Sequence, residues 1–183
     1  MVDAASTKPF GFMRFDPGPG MGGHCLPVDP FYLAYKARQV NFYPEFIELA
    51  GKVNQAQPQW CAERVERALN DVRKPVRGSK ILVLGVSYKA GVGDTRESPA
   101  LKIIAALQEL GGEVSYHDPH VPDLPRTDLT SADLDGVLEE ADAVAIVTAH
   151  PSIDYGKVVE KAELVVDLRG VMRDAGAENV VGL

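Results

Sequence analysis

Residues 80–86, Lys-Ile-Leu-Val-Leu-Gly-Val, form a short continuous apolar run that decides the fold class. Such a run is typical of a strand buried on both faces of a parallel sheet. Further strands are predicted downstream over 113–117, 143–148, 164–167 and 179–182. Helices are predicted between them over 98–111, 132–141 and 154–161. Because strands and helices alternate, the sequence predicts βαβ units and a Rossmann-like α/β fold with a parallel sheet.

A helical arm is predicted before this sheet. The pattern of residues 30–40 indicates a helix with Asp29 as its N-cap and Pro30 at its first position, where the missing N–H costs little. Apolar residues recur every three or four positions over 44–72, which predicts a longer helix. Pro58 lies inside that pattern, so we expect a kink or break there. The apolar face of this helix packs either on its own domain or on another chain.

The change of pattern at 74–79 predicts two domains. Residues 1–74 are expected to carry the helical portion, and residues 75–183 the α/β domain.

Bulk composition excludes several classes of protein. Hydrophobic residues make up 45% and charged residues 25%, as in ordinary globular proteins. The net charge of −7, without a dense Lys/Arg run, argues against nucleic-acid binding. No apolar run is long enough to span a bilayer, and no signal-peptide pattern follows Met1. Two cysteines do not indicate a disulfide framework, so we expect a cytoplasmic protein without a membrane partner.

The densest candidate site is Gly-Pro-Gly-Met-Gly-Gly-His-Cys-Leu-Pro-Val-Asp at 18–29. Glycines let the backbone approach a ligand closely, and prolines stiffen the remainder. Cys25 precedes the predicted helix, where the positive potential favours a thiolate, and Asp29 could orient a water or a catalytic group. The alternative is a small buried cysteine beside a structural turn, but the glycine density favours function. His24, Cys25 and Asp29 share one loop without a second cluster, so no metal site is predicted.

A second candidate site, Ser-Tyr-Lys-Ala-Gly-Val-Gly-Asp-Thr-Arg-Glu-Ser-Pro at 87–99, follows the first strand. Open α/β sheets bind ligands beyond the carboxyl ends of their strands. Lys89 and Arg96 supply two cations, and a helix N-terminus follows, so the loop predicts phosphate binding. The alternative is a solvated turn in which Asp94 and Glu97 pair with the cations.

These two motifs, in this order, resemble the UDP-glucose/GDP-mannose dehydrogenase family. The continuation DPFYL at 29–33 resembles the branch that oxidises UDP-N-acetylhexosamines, above all the UDP-N-acetyl-D-glucosamine 6-dehydrogenases. The resemblance implies that NAD takes hydride twice as the C6 alcohol of a UDP-sugar becomes a uronate, a step of polysaccharide biosynthesis. It implies that Cys25 forms the intermediate thioester, while Asp29 assists proton transfer or positions the water. UDP-glucose is the alternative substrate.

The resemblance also implies further site residues. Arg96 is expected to reach the NAD pyrophosphate, and the helix at 44–72 to form a homodimer. The substrate-binding residues would be Gly20, Gly22, Gly23, Tyr88, Lys89 and Arg169.

The family's NAD-binding domain has no counterpart in these 183 residues. We therefore expect the C-terminal part of a larger enzyme, which does not turn over NAD by itself. Two other functions remain open, a non-catalytic nucleotide-sugar-binding module and a dimerisation module.

Overall fold

A five-stranded sheet forms the centre of the computed structural model, which describes residues 1–182. The strands are β1 Lys80–Leu84, β2 Glu113–His117, β3 Ala143–Ile146, β4 Val165–Asp167 and β5 Val180–Gly182. Every neighbouring pair of strands is parallel, in the order β2-β1-β3-β4-β5. The apolar run at 80–86 supplies β1, in which Ile81 to Leu84 are buried. The predicted α/β class is confirmed.

Helices cover both faces of the sheet. Residues 1–182 form six helices: α1 Val2–Ala5, α2 Cys25–Arg38, α3 Glu45–Asp71, α4 Pro99–Glu109, α5 Leu134–Leu138 and α6 Tyr155–Lys161. Ile81 and Val83 face a core that includes α3 and α4, whereas Leu82 and Leu84 face α5 and α6. This alternation follows from the two-residue period of a strand. Within this described range, no helix has the length and apolarity needed to cross a membrane.

The start of α2 differs from the sequence prediction. The helix begins at Cys25, with His24 in the N-cap position, so Asp29 is not the N-cap. Pro27 stands in the first turn, where its missing N–H has no helical partner to lose. Pro30 lies inside the helix and removes one backbone hydrogen bond there without ending it. The helix therefore begins five residues before the start that the sequence predicts.

The long helix α3 also differs, because it continues through Pro58 as one element of 27 residues. Of the two predicted alternatives the break is wrong, and the kink stays a prediction. Pro58 is buried, and the residues that follow it pack into the core beside α4, which compensates for the lost backbone hydrogen bond. The first half of α3 is instead largely exposed, with Phe46, Leu49 and Val53 at its surface. The division between 1–74 and 75–183 stays a prediction.

The core contribution of α3 can be measured at Leu69, which is fully buried. Leu69→Ala removes apolar contacts and leaves a cavity, so we expect the free energy of unfolding to fall by about 2–5 kcal/mol. Urea denaturation of the 183-residue chain measures this difference.

Leu33→Ala on α2 is the matched control, because Leu33 is 60% exposed and lies outside α3. It should change the free energy of unfolding by less than about 1 kcal/mol. Equal losses in the two variants would contradict the packing of α3 described above.

Candidate functional site

The loop before Cys25 docks on the loop that follows β1. The backbone N–H of Gly23 donates to the carbonyl oxygen of Arg96 at 2.9 Å. The backbone N–H of Met21 donates to Oδ1 of Asn54 on α3 at 2.8 Å. The structure therefore brings the two sequence motifs together and ties the first of them to the long helix as well.

Two glycines make this close approach possible. A Cβ on Gly22 would lie 2.7 Å from Cβ of Tyr88 and 2.8 Å from the carbonyl oxygen of Glu97. Gly23 has φ +87°, in the left-handed region that side chains disfavour, and it lies against the Tyr88 ring. These glycines thus admit another part of the chain. Their predicted approach to a ligand stays a prediction.

Cys25 is the first residue of α2, and its side chain is exposed. It therefore lies at the N-terminus of a 14-residue helix, where the helix dipole places partial positive charge. Asp29 is also exposed and lies four residues further on, so both residues share one face of the helix. The two side chains can therefore serve the same reacting group.

The charged residues of the 87–99 loop are only partly as expected. The carboxylate of Asp94 accepts hydrogen bonds from the guanidinium of Arg96. The Nη2–Oδ2 distance is 2.6 Å, and Nε lies 3.0 Å from both carboxylate oxygens. These bonds, with the backbone N–H of Arg96, lower the pKa of Asp94 to about 2. The solvated-turn alternative therefore holds for this pair. Lys89 is exposed beside half-buried Tyr88.

The side chain of Arg169 lies against the glycine loop at Gly18. Arg169 lies two residues beyond the end of β4, where Asp167 accepts the backbone N–H groups of Arg169 and Gly170 at 3.0 and 2.8 Å. Its guanidinium covers Gly18, because a Cβ there would lie 2.1 Å from Nη1 of Arg169. A groove of about 840 Å³ runs between this arginine, the glycine loop and the exposed half of α3.

Sequence reasoning missed a buried polar cluster under the 87–99 loop. It assigned no function to His150, which is fully buried and contacts Asp118 and Ser87. The sequence held part of the signal, because Asp118 and His150 each come shortly after a predicted strand; the structure adds that these two strands flank β1. Among residues 1–182, no group of three or more His, Cys, Asp or Glu side chains is arranged to hold a metal ion.

Models of one protein family match the parts of the chain that contain the two motifs. The family model "UDP-glucose/GDP-mannose dehydrogenase family, UDP binding domain" matches residues 82–174. This chain belongs to that family. The model for the family's central domain matches residues 1–56, which include the Cys25 loop.

Individual relatives match nearly the whole chain. UDP-N-acetyl-D-mannosamine dehydrogenase of Pyrococcus horikoshii is 34% identical over 178 residues, which are 94% of this chain and 40% of the relative. A solved structure of UDP-D-ManNAc dehydrogenase from that organism superposes with a TM-score of 0.81 at 30% identity, covering 99% of this chain and 42% of the other. An NDP-N-acetyl-D-galactosaminuronic acid dehydrogenase from Methanosarcina mazei gives 0.83 at 25% identity, with coverage of 100% and 42%. This chain spans about two fifths of these proteins.

The docking of the two loops can be tested at Gly22. In Gly22→Ala the new methyl group meets backbone and Cβ atoms that cannot move independently, so the loops must separate. We expect the Gly23 amide to exchange with solvent roughly fivefold faster or more, as for the loss of one hydrogen bond of about 1 kcal/mol. Hydrogen exchange followed by NMR measures the rate.

Gly18→Ala is the control in the same loop, because its methyl group meets only the flexible end of Arg169. Unchanged exchange in Gly22→Ala would show that the loops are not held by this contact.

The two cysteines should differ in reactivity. Burial raises the pKa of the Cys61 thiol to about 12, which lowers its thiolate population at neutral pH on the order of a thousandfold. Cys25 is exposed at a helix N-terminus, so iodoacetamide should modify it first by a wide margin. Mass spectrometry of the folded chain measures both rates, with Cys25→Ser to identify the labelled peptide. Equal rates would count against a preformed nucleophile at Cys25.

Proposed function

We propose that this chain supplies the thiol and the UDP-sugar-binding domain of an NAD-dependent nucleotide-sugar 6-dehydrogenase of the cytoplasm. The carrying observation is the contact between the two motifs, made by the Gly23 N–H and the Arg96 carbonyl oxygen. Cys25 comes two residues after Gly23, so this contact holds the thiol near the loop that carries Tyr88 and Lys89. An exposed thiol near a loop that offers the ammonium group of Lys89 suits covalent catalysis on a sugar that carries a diphosphate.

A UDP-sugar lies, in this proposal, along the glycine loop. Lys89 and Arg169 are exposed cations at the carboxyl ends of β1 and β4, and they approach the diphosphate and the sugar. Tyr88 offers its ring beside Gly23. The groove lined by Arg169 and the glycine loop is large enough for a nucleotide sugar.

The chemistry of this chain's own residues centres on Cys25. Its thiolate adds to the C6 aldehyde and forms a C–S bond, which retains the intermediate. After the second oxidation that group is a thioester, and a water oriented by Asp29 adds to its carbonyl carbon and releases the uronate and the thiol. NAD, when bound, is the hydride acceptor for both oxidations. Arg96 is the one candidate contact to NAD that we assign within residues 1–182, and Asp94 already holds its guanidinium.

The sugar and the assembly are also part of the proposal. The relatives described above are named for nucleotides of N-acetyl-D-mannosamine and of N-acetyl-D-galactosaminuronic acid, which supports a UDP-N-acetylhexosamine over UDP-glucose. A homodimer through α3 is supported by apolar residues of this helix that stay exposed outside the groove, among them Trp60.

The 183-residue chain should bind UDP and UDP-N-acetylglucosamine. Lys89→Ala is expected to weaken that binding about tenfold to a hundredfold, because it removes a charge-assisted contact to phosphate worth roughly 1.5–3 kcal/mol. Calorimetric titration measures the affinities.

Lys36→Ala, an exposed lysine of α2, is the charge-matched control and should bind as the wild type does. Absence of binding by the wild type would favour a pure dimerisation module. NADH formation by this chain alone, with a UDP-sugar and NAD, would contradict the prediction that these 183 residues do not turn over NAD by themselves.

A further inference from the structure

A buried polar cluster lies where β1, β2 and β3 end. The carboxylate of Asp118 accepts the backbone N–H groups of Val86 and Ser87 at 2.8 and 3.0 Å and that of His120 at 2.8 Å. Nε2 of His150 lies 3.0 Å from its Oδ2. Burial alone would raise the pKa of Asp118, but these N–H donors lower it below its ordinary value. Asp118 is therefore a buried, fully partnered carboxylate.

The same contacts determine which ring nitrogen of His150 carries the proton. The backbone N–H of Gly91 points at Nδ1 from 3.2 Å, and since a backbone N–H can only donate, Nδ1 must be unprotonated. The proton is then on Nε2, which donates to Asp118. Ser87 Oγ, 3.2 Å from Nε2, donates its own proton to the carbonyl oxygen of Lys89 at 2.9 Å. The neutral Nε2–H form satisfies all of these groups at once.

The consequence is a loop whose backbone is held at several points. Thr148 donates to the carbonyl oxygen of Ser87 at 2.7 Å, and Asp94 accepts the N–H of Tyr88 through its carbonyl oxygen at 2.8 Å. His150 adds the hold at Gly91, two residues beyond Lys89. His150 itself is fully buried and so does not touch a ligand.

We propose that His150, in its neutral Nε2–H form, is a positioning residue that sets the 87–91 loop for nucleotide-sugar binding. It links the fixed carboxylate of Asp118 to the Gly91 N–H, and so determines where Tyr88 and Lys89 stand. This inference rests on the proposed function only in taking Tyr88 and Lys89 as ligand contacts.

The test separates the Gly91 bond from general destabilisation. His150→Leu removes both ring contacts. His150→Asn keeps an acceptor, because its Oδ1 stands in the place of Nδ1. Asn179→Ala is the control, since it removes two hydrogen bonds, to the carbonyl oxygens of Val159 and Ala162, away from this loop.

Three quantities are measured on the 183-residue chain: the ¹⁵N shifts of the His150 ring, the exchange rate of the Gly91 amide, and the affinity for UDP. We expect an unprotonated Nδ1 in the wild type. In His150→Leu, exchange should accelerate and UDP affinity should fall, each by about fivefold or more. His150→Asn should restore both to within about threefold, and Asn179→Ala should change neither.

Several outcomes would overturn the inference. They are a protonated Nδ1, unchanged Gly91 exchange in His150→Leu, or His150→Asn behaving as His150→Leu does. If the wild type binds UDP and His150→Leu binds it equally well, the inference fails while the proposed function stands. If the wild type does not bind UDP, the proposed function fails, and Gly91 exchange still decides whether His150 holds the loop. Should His150→Leu not fold, the ring shifts and His150→Asn decide.

Discussion

The buried carboxylate of Asp118 joins the sheet to the candidate site. A carboxylate inside a protein is tolerated only when its oxygens are hydrogen-bonded, and here both are. Because two of its donors are the N–H groups of Val86 and Ser87, it determines the direction in which the chain leaves β1. The phosphate-binding candidate loop starts from that point. The start of this loop is therefore set by the pairing of β1 with β2, and its later residues by Thr148, by His150 and by bonds within the loop.

The second constraint is steric and concerns the loop that carries Cys25. Gly22 lies so close to Tyr88 and Glu97 that no side chain fits between them. The N-terminus of α2, and with it the thiol, is thereby positioned by a loop of the α/β domain. Meanwhile Asn54 holds the same glycine loop from α3, whose second half is anchored in the core. The thiol is thus held from two sides.

Much of the fold could be predicted from sequence, since β1 and the alternation after it are local hydrophobic patterns. The predicted start of α2 is wrong because Pro27 and Pro30 both suit the first turn of a helix. Only the packing of the folded chain selects between them. The helix does not break at Pro58, because burial of the residues that follow stabilises it by more than the loss of one hydrogen bond costs. The pairing of His150 with Asp118 needs the strand order, which a single sequence without aligned relatives does not provide.

Arg96 makes one contact through its backbone and another through its side chain. Its carbonyl oxygen receives the Gly23 N–H, while its guanidinium is held by Asp94 in solvent. Water screens such an exposed ion pair, so the pair contributes little stability, and a phosphate could replace Asp94 without large loss. The backbone contact does not depend on that exchange. The side chain of Arg96 can therefore change partners while the loop that carries Cys25 stays docked.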